Sequence, residues 1–414
     1  MDRTARSPFV IVGASLAGAK TAEGLRDAGH DGAITLVGAE AHLPYERPPL
    51  SKGFLQGHED RQKLLVHPPD WYADHRVDLR LSSRVTAVNS QAHHVAVSNG
   101  DRLPYEKLVL ATGSAPRRLT VQGADLAGVH YLRTVDDSEA LKQVLSAGTR
   151  VTVIGAGWIG LETAAAARAA GADVTVLEHA DVPLLRVLGA RLGTVFADLH
   201  RAHGVDLRCG VTVTGMRARE DNHDRVGAVL LSDGNEVTAD VVIVGVGVAP
   251  NDHLARTAGL KVDNGIVVDE QLRTSNPDVY AVGDVANAYH PLLQRHMRVE
   301  HWATALNQPA VAARVMLGQG AAYDALPYFF SDQYDLGMEY VGHADPDDGS
   351  SVVVRGDLGS REFVAFWVKT GRVVAGMNVN VWDVADAVKS LIRSGVVVDP
   401  ARLADPGVPL TELT

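Results

Sequence analysis

The sequence predicts an α/β protein with two Rossmann-like dinucleotide-binding domains, the second inserted in the first, and a C-terminal α+β domain. Two glycine-rich turns, VIVGASLAG at 10–18 and VTVIGAGWIG at 151–160, each join an apolar strand-like run to an alanine-rich helical stretch. A strand pattern returns at 279–284, after the second block has closed with VVIVGVGVAPN at 241–251, which is the order expected of an insertion. From about Ala325 onward the residues are aromatic and β-branched over short runs, as in an antiparallel sheet.

In the first turn Gly13 permits the tight exit from the strand. Ser15 occupies the place where glycine usually lets backbone approach a pyrophosphate, and Leu16, Ala17 and Gly18 open a helix whose N–H groups face that phosphate. The strand 34–37 runs on to Glu40, the expected ribose ligand. The second turn, with Gly155, Gly157, Trp158, Ile159 and Gly160, fits G-x-G-x-x-G in full. Its following strand, 174–177, ends at Glu178, where a carboxylate accepts from both ribose hydroxyls and repels a 2′-phosphate, so NADH is expected rather than NADPH. Arg186, farther on, is the cation that could instead meet a phosphate. The plainer reading of either turn is a strand-to-helix connection with no ligand.

With 414 residues, 46% hydrophobic and 21% charged, the chain can bury two or three cores. Its net charge of -11, with both signs interleaved, argues against a nucleic-acid partner and offers nothing to a membrane. The apolar runs are only strand-length and no basic segment followed by an apolar core opens the sequence, so a cytoplasmic location is expected. The single cysteine, Cys209, excludes a redox-active cysteine pair and is read as a structural thiol. No Cys/His spacing suggests a metal site. The expected division is 1–115 with 251–324, then 116–250, then 325–414, the last with a hairpin about Thr370-Gly371 and a helix over 383–393.

Several further segments are more specific than either glycine turn: LPYERPPLSK at 43–52, LATGSAPRRL at 110–119, VYAVGDVA at 279–286, VEHWATA at 299–305 and FFSDQYD at 329–335. Together they resemble the FAD-dependent ferredoxin reductase family of the glutathione reductase fold class, over nearly the whole chain. The resemblance implies FAD in the first domain and NADH in the second. It implies FAD contacts from Arg47, Lys52, Val85, Ala111, Thr112, Gly113, Arg118, Asp284, Glu300, His301 and Trp302, and NADH contacts from Gly245, Val246 and Gly247. It also implies catalytic placement for Lys52 and Glu162, paired at the flavin edge to orient the nicotinamide for hydride transfer.

Each of these residues also has a plainer reading. Pro48 and Pro49 stiffen a loop whose cations could simply be solvated. Asp284 could cap a helix, Trp302 could fill core, and the helix dipole alone would favour an acid at 162. Phe330 stands where relatives often carry tryptophan, which keeps an aromatic face but removes the indole N–H. The implied activity is NADH-dependent reduction of a small iron-sulfur ferredoxin that supplies an oxygenase such as a haem monooxygenase, by a monomer or weak homodimer. Rubredoxin reductase, monodehydroascorbate reductase, NADH oxidase and a redox-sensing flavoprotein are the alternatives on the same fold.

Overall fold

The computed structural model describes residues 8–345 and 349–413; residues 1–7 and 414, the ends of the expected first and last domains, lie outside them. The chain forms two compact units. Of the described residues, the first holds 8–46, 61–115 and 249–327, and the second holds 47–60, 116–248, 328–345 and 349–413.

At the centre of the first unit Phe9–Val12 is buried along its whole length, as a central parallel strand requires. It pairs in parallel with Ile34–Val37 on one side and Lys107–Leu110 on the other. Val77–Arg80 and Val279–Ala281 complete the sheet at its two edges. The helix Leu16–Asp27 follows the first turn, and its small buried residues Ala17, Gly18, Ala19 and Ala22 let it lie close to its neighbours, among them the helix Trp302–Met316. The strand that returns late in the chain, Val279–Ala281, takes its register directly from Leu108, Val109 and Leu110.

The second unit repeats the plan. Arg150–Ile154 lies between Asp173–Leu177 and Val241–Val244, all parallel, with Asp206–Arg208 and Val129–His130 at the edges. The helix Trp158–Ala169 packs its alanines against this sheet. The Rossmann-like part of this unit runs from Pro116 to Val248, between two segments of the first unit, so the second Rossmann-like fold is inserted in the first. The same unit carries a five-stranded antiparallel sheet in the order Tyr328–Gln333, Leu336–Gly342, Arg372–Val379, Glu362–Lys369, Ser351–Asp357. Thr370 and Gly371 both have positive φ, the geometry of a tight two-residue hairpin turn. The following helix is Ala385–Ser394 rather than 383–393, because Asp383 sits at φ 62 and cannot begin it.

The loop 47–60 lies early in the sequence yet belongs to the second unit. The Leu50 carbonyl accepts from Ser138 Oγ at 2.7 Å, and Leu55 is buried in the second unit's core. This places Ser51 and Lys52 among the residues of the second unit.

Candidate functional site

In the first unit the turn is built by two glycines that the fold itself demands. A Cβ on Gly13, at φ +117, would lie 2.2 Å from the Ala111 carbonyl oxygen, and one on Gly18 would lie 1.9 Å from that of Gly13. Ser15 holds the N-cap position in extended conformation without a capping side-chain bond, and the helix has no acid in its first turn. The helix N-terminus therefore keeps N–H groups that its own side chains do not satisfy, a suitable cradle for an anion.

Gly283, at φ +75, brings its segment so close that a Cβ would lie 3.0 Å from that of Ala17. Asp284 is the middle residue of a short 3-10 turn whose N-cap is Val282, so the capping role weighed for Asp284 does not apply. Its carbonyl accepts from Arg298, which also pairs with Glu300. Trp302 packs against the core and donates its indole N–H to Glu46 at 3.2 Å, so it is more than filling. His301 is the N-cap of the helix that Trp302 begins. Glu40 accepts from the Tyr45 hydroxyl at 2.5 Å. Thr112 and Gly113 are tied to Asn251 by three hydrogen bonds, while Val85 and Ala111 are buried.

The second turn separates the jobs of its three glycines. Gly155 has φ +98 and a Cβ there would meet the Gly245 carbonyl at 2.6 Å; one on Gly160 would meet that of Gly155 at 2.0 Å. A Cβ on Gly157 would meet nothing within 4 Å, at an ordinary φ of -79. The protein does not need a glycine at 157, whereas a ligand lying on the turn would. Ile159 and Val246 are 45% and 36% exposed, two apolar side chains left to solvent beside this backbone in sequence.

Glu178 accepts from the backbone N–H of Ala156 at 2.6 Å and of Ala180 at 2.8 Å, which ties the strand end to the turn. Arg186 and His179 are exposed. The Gly247 carbonyl accepts from Arg117 N–H, and Arg118 lies over the Tyr131 ring at 4.6 Å. Arg47 donates to the Arg133 carbonyl. Trp158 meets Phe196 and Phe329 edge-on, at 5.5 and 5.1 Å.

A buried polar cluster is centred on Glu162, which is 3% exposed. Lys52 Nζ lies 2.7 Å from its Oε2, and the Ser51 hydroxyl donates to the same oxygen at 2.5 Å. The Ser331 hydroxyl donates to Oε1 at 2.7 Å. The Phe330 ring centroid is 5.6 Å from the Lys52 ammonium. Glu162 is the fifth residue of its helix, so these three donors, more than the helix dipole, account for a buried acid there. Ser51 and Ser331 both fall in motif segments but carry no signal of their own. The one hint is the period of two in Tyr328–Gln333, which turns Ser331 and Gln333 inward.

Cys209 is half-buried just after the strand Asp206–Arg208, and burial pushes its thiol up, away from the thiolate. Among the described residues no group of three His, Cys, Asp or Glu side chains can hold a metal ion, and no helix is long and apolar enough to cross a membrane.

Residues 7–308 match the pyridine nucleotide-disulphide oxidoreductase family, and residues 328–414 match the reductase C-terminal family. The chain is 45% identical to the anthranilate 1,2-dioxygenase system ferredoxin–NAD(+) reductase component of Burkholderia cepacia, over 97% of this chain and 98% of that one. It is 40% identical to putidaredoxin reductase of Pseudomonas putida, over 99% and 97%. Its structure superposes on the reductase in a covalent putidaredoxin reductase–putidaredoxin complex with a TM-score of 0.95, at 40% identity and covering 99% and 98% of the two chains. The ferredoxin reductase for the CYP199A2 system of Rhodopseudomonas palustris gives 0.93, at 38% identity over 98% and 99%. With both glycine turns, the inserted second unit and the antiparallel C-terminal sheet in place, the chain belongs to the pyridine nucleotide-disulphide oxidoreductase family and, within it, to the FAD-dependent ferredoxin reductases.

Proposed function

We propose that this chain is a cytoplasmic NADH-dependent ferredoxin reductase that supplies electrons through a small iron-sulfur ferredoxin to an oxygenase. FAD, when bound, would supply a centre that can accept two electrons as hydride from NADH and pass them on one at a time to the ferredoxin. The observation that carries the reading is that Cys209 is the only cysteine, half-buried with its thiol pushed up, so no dithiol relays electrons. In a family named for disulphide chemistry, the passage from two-electron to one-electron transfer is left to the flavin.

The residues fit the two dinucleotides. For FAD, the uncapped turn of Gly13, Ser15, Leu16, Ala17 and Gly18 offers N–H groups to the pyrophosphate, Glu40 suits the ribose, and Asp284, next in sequence to the Gly283 that lies close to Ala17, suits the ribityl chain. For NADH, Gly157 leaves room for the pyrophosphate, and Ile159 and Val246 offer apolar faces to the nucleotide. Glu178 receives the adenosine ribose and disfavours NADPH.

Lys52 and Glu162 hold the nicotinamide in place. An ammonium and a carboxylate locked together at 2.7 Å present one donor-rich and one acceptor-rich edge, and neither is required to move a proton. Orientation is their contribution.

The test is anaerobic stopped-flow absorbance of the yellow holoprotein. NADH should bleach the flavin rapidly, and an oxidised ferredoxin should restore the colour rapidly. Equally fast return with oxygen alone would replace the reading by an oxidase. A long-lived reduced complex indifferent to every acceptor would replace it by a redox sensor.

A further inference from the structure

Glu162 is the end of a longer hydrogen-bonded line. Ser331 Oγ, bonded to Glu162 Oε1, lies 3.1 Å from Gln333 Nε2; Gln333 Oε1 lies 2.9 Å from His200 Nε2; and His200 Nδ1 faces the Tyr334 hydroxyl at 3.4 Å. Ser331, Gln333 and His200 are all at most 1% exposed, and nothing in the roles above uses Gln333 or His200. Glu162, the pair Ser331 and Gln333, and His200 come from three separate elements, the helix Trp158–Ala169, the strand Tyr328–Gln333 and the helix Leu185–Ala202, with Tyr334 just beyond the strand.

The direction of this line is forced from the Glu162 end. A carboxylate beside an ammonium has no hydrogen to give, so the single Ser331 hydrogen is committed to Glu162. Ser331 must then accept from the Gln333 amide, whose carbonyl must accept in turn. His200 is thereby the tautomer with hydrogen on Nε2, and its Nδ1 is left to accept from Tyr334. Every donor points toward Glu162, and such aligned bonds polarise one another.

We propose that Ser331, Gln333 and His200 are positioning residues for nicotinamide reduction. They pin one oxygen of Glu162 and leave the other to Lys52 and Ser51. The proposal rests on the reading of Glu162 as a nicotinamide-orienting residue. Burial keeps His200 neutral, its pKa pushed down to about 4, as a one-way donor requires. The ionisable groups around it are Tyr334 and His203, whose ring stacks on that of Tyr334 at 3.8 Å.

The experiment uses the FAD-loaded protein. Nitrogen-15 NMR of wild type should show His200 as the neutral Nε2–H form, not titrating between about pH 5.5 and 8. Gln333→Glu keeps the shape but has no N–H for Ser331, so it draws the serine hydrogen away from Glu162 and turns His200 into an imidazolium in that range. With Gln333→Glu or Ser331→Ala, the limiting rate of flavin bleaching should fall about tenfold, the worth of one hydrogen bond to a charged group. The Kd for NADH should stay within about twofold and FAD should remain bound.

An Nδ1–H or charged His200 in the wild type would overturn the proposal, whatever the variants do. So would wild-type bleaching rates in both variants, or rate losses that only track lost FAD. Glu162→Gln separates the two levels. If it leaves bleaching unchanged, the reading of Glu162 itself fails; if it slows bleaching while the other two do not, only the positioning line fails.

Discussion

Gly157→Ala should weaken NADH binding without weakening the fold, while the neighbouring glycines of the same motif behave in the opposite way. A methyl at 157 meets no protein atom within 4 Å, and φ -79 suits alanine. Alanine is a poorer N-cap than glycine by about 0.5–1 kcal/mol, but it also removes about 0.4–1 kcal/mol of unfolded-chain freedom, so the net change in stability is within about 0.5 kcal/mol. Gly155→Ala must hold a side chain at φ +98 and place its Cβ 2.6 Å from the Gly245 carbonyl. Strain of that kind costs about 1–3 kcal/mol before the overlap is counted. Gly160→Ala adds a Cβ 2.0 Å from the Gly155 carbonyl and fares no better. The assay pairs thermal unfolding with NADH saturation of the flavin-reduction rate. Gly157→Ala should keep the wild-type Tm and FAD content and raise the Kd for NADH about tenfold, or about 1.4 kcal/mol. Gly155→Ala and Gly160→Ala should lose Tm first. Unchanged NADH affinity in Gly157→Ala, or a loss of stability equal to that of Gly155→Ala, would refute the view that the open space at 157 belongs to the dinucleotide.

Glu162→Gln should slow flavin reduction about tenfold or more with FAD retained; because it strips the anion from a Lys52 ammonium whose side chain is only 16% exposed, it should also cost about 3 kcal/mol of stability in denaturant titration. Loss of FAD in place of loss of rate would make the residue structural. Glu178→Ala combined with His179→Arg should move the kcat/KM preference toward NADPH, and because the alanine also leaves Ala156 and Ala180 N–H without their acceptor, NADH binding should fall further than one ribose contact explains. An unchanged cofactor ratio would remove Glu178 from the ribose role. His200 has its pKa lowered from 6.5 to about 4, so between those values the unfolded chain binds a proton that the native state does not. Its contribution is complete above about pH 6.5 and is lost as pH falls toward 4, a slope worth up to about 3 kcal/mol that His200→Gln should flatten. Equal acid sensitivity in the two proteins would contradict it.

Much of this molecule is legible locally. A glycine-rich turn between a buried strand and an alanine helix is a contiguous signal, and so is an acid at the next strand end; both depend on backbone geometry within about thirty residues. The hairpin about Thr370-Gly371 is equally local, since two residues at positive φ suffice to set it. The lone Cys209 already excludes dithiol chemistry by counting.

The Lys52–Glu162 pair is already implied by the family resemblance and is met at 2.7 Å; what only the tertiary structure decided is the rest of what depends on meeting at a distance. Ser51, Lys52, Glu162, His200, Ser331 and Gln333 are spread over some 280 residues, and none of them carries a spacing rule that would draw them together. Burial decides their pairing, because a buried polar atom left without a partner is costly, and the alternation of Tyr328–Gln333 delivers Ser331 and Gln333 to the face where Glu162 and His200 wait. The loop 47–60 joins that unit through the Leu50 carbonyl and Leu55, though it precedes it by some sixty residues. The three glycines of the second turn look alike as letters. Only the positions of the Gly245 and Gly155 carbonyls distinguish the two that the fold requires from the one that it leaves open.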